Sequence, residues 1–103
     1  EMDLSQYQIV KTMEVEATAY TYTGYPTATG LWPREGLIAV DPRVIPLGTE
    51  LYVEGYGYAV AADTGGAIKG NIIDVFFPSL QRCIEWGRRT VTIHIIEKPQ
   101  MEK

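Results

Sequence analysis

The chain has 103 residues, of which 46% are hydrophobic and 21% are charged, which is typical of one compact domain with a single modest core. This composition excludes a disordered chain, and no apolar run is long enough to cross a bilayer. The net charge of −4 argues against nucleic-acid binding through a basic surface. We expect no metal site and no cofactor, because zinc sites need several His or Cys ligands and the chain has one of each.

The first predicted strand covers residues 13–22, where apolar and polar residues alternate as in a strand with one solvated face. Residues 1–12 show no clear period and are interpreted as a lead-in segment. The domain itself is predicted over residues 13–97. A polar C-terminal tail is expected at residues 98–103.

A long loop follows this strand, at residues 23–36, and loops of this length in a small domain are often functional. Trp32 is a candidate for stacking on a sugar ring, with packing over the end of the fold as the alternative. Thr29 is a candidate hydrogen-bond donor to a substrate. The alternative for Thr29 is a hydroxyl that stabilises a turn.

Five further strands are predicted, over residues 37–40, 50–53, 58–62, 72–77 and 90–97. Residues 54–57 form a hairpin turn with glycines where a positive φ is expected. His94 is expected on the more polar face of the last strand. Six strands without a βαβ rhythm predict a small all-β barrel.

One short helix is predicted between the last two strands. Ser79 is a suitable N-cap and Gly87 a suitable residue to end the helix. Leu80, Cys83 and Ile84 share one face and are expected to be buried. Cys83 is therefore interpreted as a buried thiol rather than a nucleophile.

Asp74 stands out because it lies inside the apolar run of residues 72–77. A strand there would place Ile73 and Val75 on one face and Asp74 and Phe76 on the other. Burial would raise the pKa of such a carboxyl, which is what a general acid needs. The alternative is a carboxylate at the rim that accepts backbone hydrogen bonds.

Three segments in order, residues 36–49, 55–57 and 62–74, resemble the 3D domain, named for three aspartates, which here are Asp41, Asp63 and Asp74. The resemblance extends from about residue 15 to residue 96. The sequence is similar to the YuiC-like stationary-phase survival family of spore-forming bacteria. It also resembles the catalytic barrel of the membrane-bound lytic transglycosylase A family.

This resemblance implies an all-β fold, a six-stranded double-psi β-barrel with one short helix. It also implies a lytic transglycosylase, a glycosidic bond lyase that remodels the bacterial cell wall. Such an enzyme cleaves the MurNAc-GlcNAc β-1,4 bond of peptidoglycan glycan strands and forms 1,6-anhydro-muramyl products. The implied location is outside the cytoplasm, in the wall or on a membrane anchor, with any signal segment outside this sequence.

By motif position, Asp74 matches the family's catalytic acid and base. Asp63 would be a close neighbour whose charge raises the pKa of Asp74 and stabilises an oxocarbenium-like transition state. Asp41 either orients a partner in the site or anchors a loop. All three are candidate catalytic residues.

Further candidates for substrate binding lie between the last two aspartates. Gly65 and Gly66 would let the backbone approach a sugar, or simply turn sharply. Lys69 would contact the lactyl carboxylate of a muramyl residue, or remain solvated.

A non-catalytic glycan-binding barrel is the main alternative. The Asp63-Thr64-Gly65 triplet also occurs in aspartic proteases, but there it comes early in the chain and lacks this second aspartate eleven positions later. A divalent-cation site is disfavoured, since no Asp-x-Asp or EF-hand spacing occurs. A homodimer formed by strand exchange is left open.

Overall fold

The computed structural model describes residues 4–98, and these form a closed barrel of six strands with one short α-helix. The strands are β1 (Gln8–Tyr20), β2 (Leu37–Ala39), β3 (Glu50–Val53), β4 (Gly57–Asp63), β5 (Ile72–Phe76) and β6 (Arg89–Glu97). Helix α1 (Leu80–Trp86) connects β5 to β6, and a 3₁₀ helix (Leu4–Gln6) precedes β1. The predicted fold class, a six-stranded double-psi β-barrel, is confirmed.

The strand order around the barrel is β1-β5-β2-β4-β3-β6, and β6 pairs with β1 to close it. The β1–β5 and β2–β4 pairs are parallel, whereas the other pairs are antiparallel. Strand β2 lies between β4 and β5, so these two strands flank it. Within residues 4–98, no helix has the length and apolar character that a membrane span requires.

Strand β1 begins at Gln8, five residues before the predicted start, and ends at Tyr20 rather than residue 22. Residues 8–12 belong to the predicted lead-in segment, but they pair with β6. This pairing extends to Gln8 opposite Glu97. Both faces of this extension are exposed, so it shows no hydrophobic alternation. The predicted tail lies outside the described residues except for Lys98, as do residues 1–3 of the lead-in.

The core fills the barrel with side chains from alternate positions of the strands. Strand β5 shows the pattern, since Ile73 and Val75 are fully buried inside while Ile72 and Asp74 are half-buried on the outer face. The other fully buried strand residues of this core are Ala17, Ile38, Leu51, Val53, Ala59, Ala61 and Ile93.

The predicted ends of the helix are confirmed. The Ser79 side chain accepts a hydrogen bond from the backbone N–H of Arg82, and Gly87 ends the helix at a φ of 68°. The hairpin between β3 and β4 also has the expected positive φ, 86° at Gly55 and 124° at Gly57. These turns are therefore set by local sequence.

The predicted buried face of α1 is wrong in part. Cys83 is buried, as expected, but Leu80 and Ile84 are each 65% exposed. The second buried residue is Trp86, whose indole Nε1 donates a hydrogen bond of 3.2 Å to the carbonyl of Ala17. A helix of seven residues contacts the barrel along one short stripe, and the large indole takes that position.

His94 lies on the outer, polar face of β6, as predicted. Its Nδ1 is 2.9 Å from the Thr12 hydroxyl, and its Nε2 is 2.7 Å from the Glu54 carboxylate. These contacts join β6 to β1 and to the turn that follows β3.

Candidate active site

Asp63 and Asp74 lie on the two strands that flank β2. Asp63 is the last residue of β4 and Asp74 is in the middle of β5. Ala39 of β2 is the register partner of both aspartates. Since adjacent strands are about 4.8 Å apart, the two aspartate backbones are about 10 Å apart. The barrel topology thus brings together two carboxylates that are eleven positions apart in sequence.

The Asp74 carboxyl lies on the outer face of β5, half-buried against β1. Its register partner there is Thr18, whose hydroxyl donates a hydrogen bond of 2.8 Å to Oδ1 of Asp74. Burial raises the pKa of Asp74 above its ordinary value, the Thr18 hydrogen bond opposes this rise, and the charge of Asp63 adds to it. The raised pKa predicted from the apolar setting is confirmed in direction.

Aromatic side chains cover the surface next to Asp74. The Phe76 ring packs edge-on against Tyr20, with ring centroids 5.5 Å apart, and against Tyr22, at 5.0 Å. The Tyr20 hydroxyl donates a hydrogen bond of 3.0 Å to the carbonyl of Leu37. Burial and the charges of the nearby aspartates hold the pKa of Tyr20 well above its usual range, so this phenol stays neutral.

Thr18 and Tyr20 were not predicted as site residues. The alternation of the first strand places them on its outer face, which is the available signal. What the sequence does not reveal is the parallel pairing that puts β1 beside β5.

Asp63 anchors the long loop that follows β1. Its Oδ1 accepts hydrogen bonds of 2.8 Å from the backbone N–H groups of Ala28 and Thr64. Thr29 strengthens this anchor, because its hydroxyl and its backbone N–H donate to the carbonyl of Ala62, at 3.1 and 3.2 Å. These contacts are those of a hydroxyl that stabilises a turn, which is the alternative to substrate binding for Thr29.

Asp41 is buried and forms an anchor of a different kind. Arg43 binds it through two guanidinium nitrogens, at 3.0 and 3.1 Å, and through its backbone N–H. Gly70 adds a backbone N–H at 2.8 Å, which ties the glycine-rich loop to the end of β2. These donors, with the Arg43 side chain foremost, hold the pKa of Asp41 far below its usual range. Of the two roles considered, the contacts are those of a loop anchor.

The remaining predicted site residues are in exposed loops. A Cβ on Gly65 would come within 3.0 Å of the Ile68 side chain, whereas a Cβ on Gly66 would lie in open space. Of these two glycines, only Gly65 therefore has a steric reason to be glycine. Trp32 is 64% exposed and Lys69 is exposed, and their roles in substrate binding stay predictions.

Two depressions in the surface lie away from the aspartate pair. One, of about 480 Å³, is lined by residues 48–50 and 95–98, and the other, of about 380 Å³, lies beside Tyr56 and Tyr58. Neither lining includes Asp63 or Asp74, and the perturbed carboxyl rather than the size of a depression identifies the candidate site.

The family model of the 3D domain matches residues 36–97, more than half of the chain. The chain belongs to the 3D domain family. This chain is similar to two proteins of Bacillus subtilis (strain 168). It is 55% identical over 95 residues to YabE, which is named for a suspected role in cell wall shaping. It is 53% identical over 94 residues to the cell wall-binding protein YocH.

Each match covers 84% of this chain, but only 23% of YabE and 33% of YocH. The chain therefore spans a third or less of the length of these relatives.

Solved structures are also similar. MltA from E. coli superposes with a TM-score of 0.59 at 22% identity, over 76% of this chain and 29% of that one. E. coli MltA with bound chitohexaose gives a TM-score of 0.58 at 22% identity, over 73% and 28%. At this identity, the likeness shows a shared fold.

Proposed function

We propose that this 3D domain is a peptidoglycan lytic transglycosylase that cleaves the MurNAc-GlcNAc β-1,4 bond, with Asp74 as general acid and base. The observation that carries the proposal is the half-buried Asp74 carboxyl, whose pKa is raised beside a second carboxylate. Such a group keeps its proton to a higher pH than an ordinary aspartate, and an acid catalyst must be protonated to act.

In the proposed reaction, neutral Asp74 donates its proton to the glycosidic oxygen as the bond from that oxygen to the anomeric carbon breaks. The 6-hydroxyl of the muramyl residue attacks the same carbon and closes the 1,6-anhydro ring. The resulting Asp74 carboxylate takes the proton of this hydroxyl. One carboxyl thus serves as acid and then as base, and the substrate supplies the nucleophile, unlike the paired-carboxylate scheme of ordinary glycosidases.

The other aspartates would support this chemistry from a distance. Asp63 raises the pKa of Asp74 through its charge, and in the proposal it also stabilises positive charge that develops at the anomeric carbon. Asp41 would act through position, because its bond to Gly70 fixes the end of the glycine-rich loop near the end of β2. Trp32 and Lys69 would contact the glycan from their exposed loops.

The names of the relatives support a substrate and a location. Because YabE and YocH are named for the cell wall, we assign peptidoglycan glycan strands as the partner and place the domain outside the cytoplasm, in the wall or on a membrane anchor. A homodimer by strand exchange stays a prediction. Such a dimer would have to replace the pairing of β1 with β6 that closes the barrel within one chain.

The test is mass spectrometry of purified peptidoglycan after incubation with the wild type and with Asp74→Asn. The proposal expects anhydro-muropeptides from the wild type, and a loss of about 100-fold or more in their rate of release by the variant. Products with reducing ends would instead identify hydrolysis by water.

The second candidate function is a peptidoglycan-binding barrel without catalysis. It is favoured by the name of YocH, a cell wall-binding protein, and by the engagement of Asp63 Oδ1 with two backbone N–H groups. In the same experiment, binding of both proteins to the wall without release of fragments would select this function.

A further inference from the structure

Tyr22 is an exposed side chain held in place by a buried one. It is 63% exposed, yet its ring packs edge-on against Phe76, with ring centroids 5.0 Å apart and planes at 75°. Phe76 itself is only 1% exposed. A ring fixed in this way loses little conformational freedom when a ligand packs against its open face.

The position of Tyr22 connects it to the candidate site. Phe76 comes two positions after Asp74 in β5, on the same outer face, so the two side chains are about 7 Å apart along the strand. Tyr20 is the register partner of Phe76, and Tyr22 follows the end of β1 by two residues and packs on the same Phe76 ring. The exposed ring is therefore connected to the acid through Phe76, on the same outer face of the barrel.

We propose that Tyr22 forms a stacking subsite for the pyranose ring that neighbours the bond held at Asp74. A pyranose has apolar C–H faces and polar hydroxyl edges, which match an aromatic face beside carboxylates. The charge of Asp63 disfavours an anionic group at this position and favours a neutral sugar. The location of the bond at Asp74 rests on the proposed function, but sugar binding at Tyr22 is measured without cleavage.

The experiment is titration of the protein with chitohexaose, followed by isothermal calorimetry and by the aromatic NMR signals. Tyr22→Leu covers Phe76 but lacks an aromatic face, and Tyr22→Phe keeps the ring without its hydroxyl. Tyr58→Leu is the matched control. Tyr58 is a 40% exposed tyrosine that lies at the far end of β4, five positions from Asp63.

We expect Tyr22→Leu to weaken binding about threefold to tenfold, the size of one aromatic contact. Tyr22→Phe and Tyr58→Leu should bind like the wild type. In the wild type, the ring signals of Tyr22 and Phe76 should shift with chitohexaose, a result that does not depend on how well any variant folds.

Equal affinity of Tyr22→Leu and the wild type, or ring signals that stay in place at saturation, would overturn the subsite. Failure of the wild type to bind chitohexaose would overturn it as well. Cleavage is read separately by the release of muropeptides. Sugar binding at Tyr22 without cleavage would therefore reject the transglycosylase and keep the subsite. Cleavage that does not depend on Tyr22 would reject the subsite and keep the transglycosylase.

Discussion

The hydroxyl of Thr18 donates a hydrogen bond of 2.8 Å to Oδ1 of Asp74, across the parallel pair of β1 and β5. The bond stabilises the carboxylate and so limits how far burial raises the pKa of Asp74. We expect Thr18→Val, which keeps the shape and removes the hydroxyl, to raise this pKa further. The measurement is a pH titration of the Asp74 carboxyl carbon by NMR.

Thr18→Ser is the matched control, since it restores the donor and should restore the wild-type pKa. An unchanged pKa in Thr18→Val would mean that the hydroxyl bonds mainly to the Ile73 carbonyl, 3.3 Å away.

Asp74 also makes folding stability depend on pH. Because its pKa is higher in the folded than in the unfolded protein, the folded state binds more protons between the two pKa values. The free energy of unfolding therefore falls as the pH rises through this window. Asp74→Asn removes the effect. The free energy of unfolding of the variant, relative to that of the wild type, should therefore be higher at pH 7 than at pH 3. Urea unfolding at both pH values measures this, and a difference that does not vary with pH contradicts it.

Asp63 has two separable effects, one on charge and one on the loop. Asp63→Asn removes the negative charge and keeps an acceptor for Ala28 and Thr64, so the pKa of Asp74 should fall while the loop stays anchored. Asp63→Ala removes both. In that variant, amide hydrogen exchange at Ala28 should become about twofold to tenfold faster, the effect of one lost hydrogen bond. Equal exchange rates in the two variants would show that the carboxylate does not anchor the loop.

Asp41 gives the opposite dependence on pH. Its pKa is lowered in the folded protein by Arg43 and by Gly70, so its contribution is complete above the ordinary aspartate pKa of about 3.9 and is lost as the pH falls below it. Asp41→Asn should therefore lower the Tm at pH 7, and the deficit should shrink at pH 3. Glu14→Gln, a change to an exposed carboxylate on β1, serves as control and should leave the Tm unchanged. A deficit that is equal at both pH values would exclude the charge as its cause.

The buried face of α1 can be tested by mutation. Trp86 is 7% exposed, and Trp86→Ala should lower the free energy of unfolding by about 3–5 kcal/mol. Ile84 is 65% exposed, and Ile84→Ala should change it by less than about 0.5 kcal/mol. Denaturant unfolding compares the two. A larger loss in Ile84→Ala than in Trp86→Ala would restore the helix face that the sequence predicted.

Local sequence determined much of this fold. The alternation in residues 72–77 correctly placed Asp74 on the face opposite Ile73 and Val75, because side chains in a strand alternate whatever the strand pairs with. Ser79 and Gly87 set the ends of α1, since a cap depends on neighbouring backbone groups. The order of motifs around the three aspartates was enough to predict the family and the barrel.

Tertiary structure decided the rest, because it depends on contacts between distant residues. The parallel pairing of β1 with β5 brings Thr18 to Asp74, and no local pattern encodes that register. The extension of β1 to Gln8 depends on β6 as a partner for its backbone rather than on side-chain burial. The burial of Trp86 instead of Ile84 follows from where the short helix meets the barrel. The sequence identifies the Asp74 carboxyl. The pairing of strands in the barrel produces the burial and the nearby Asp63 charge that raise its pKa.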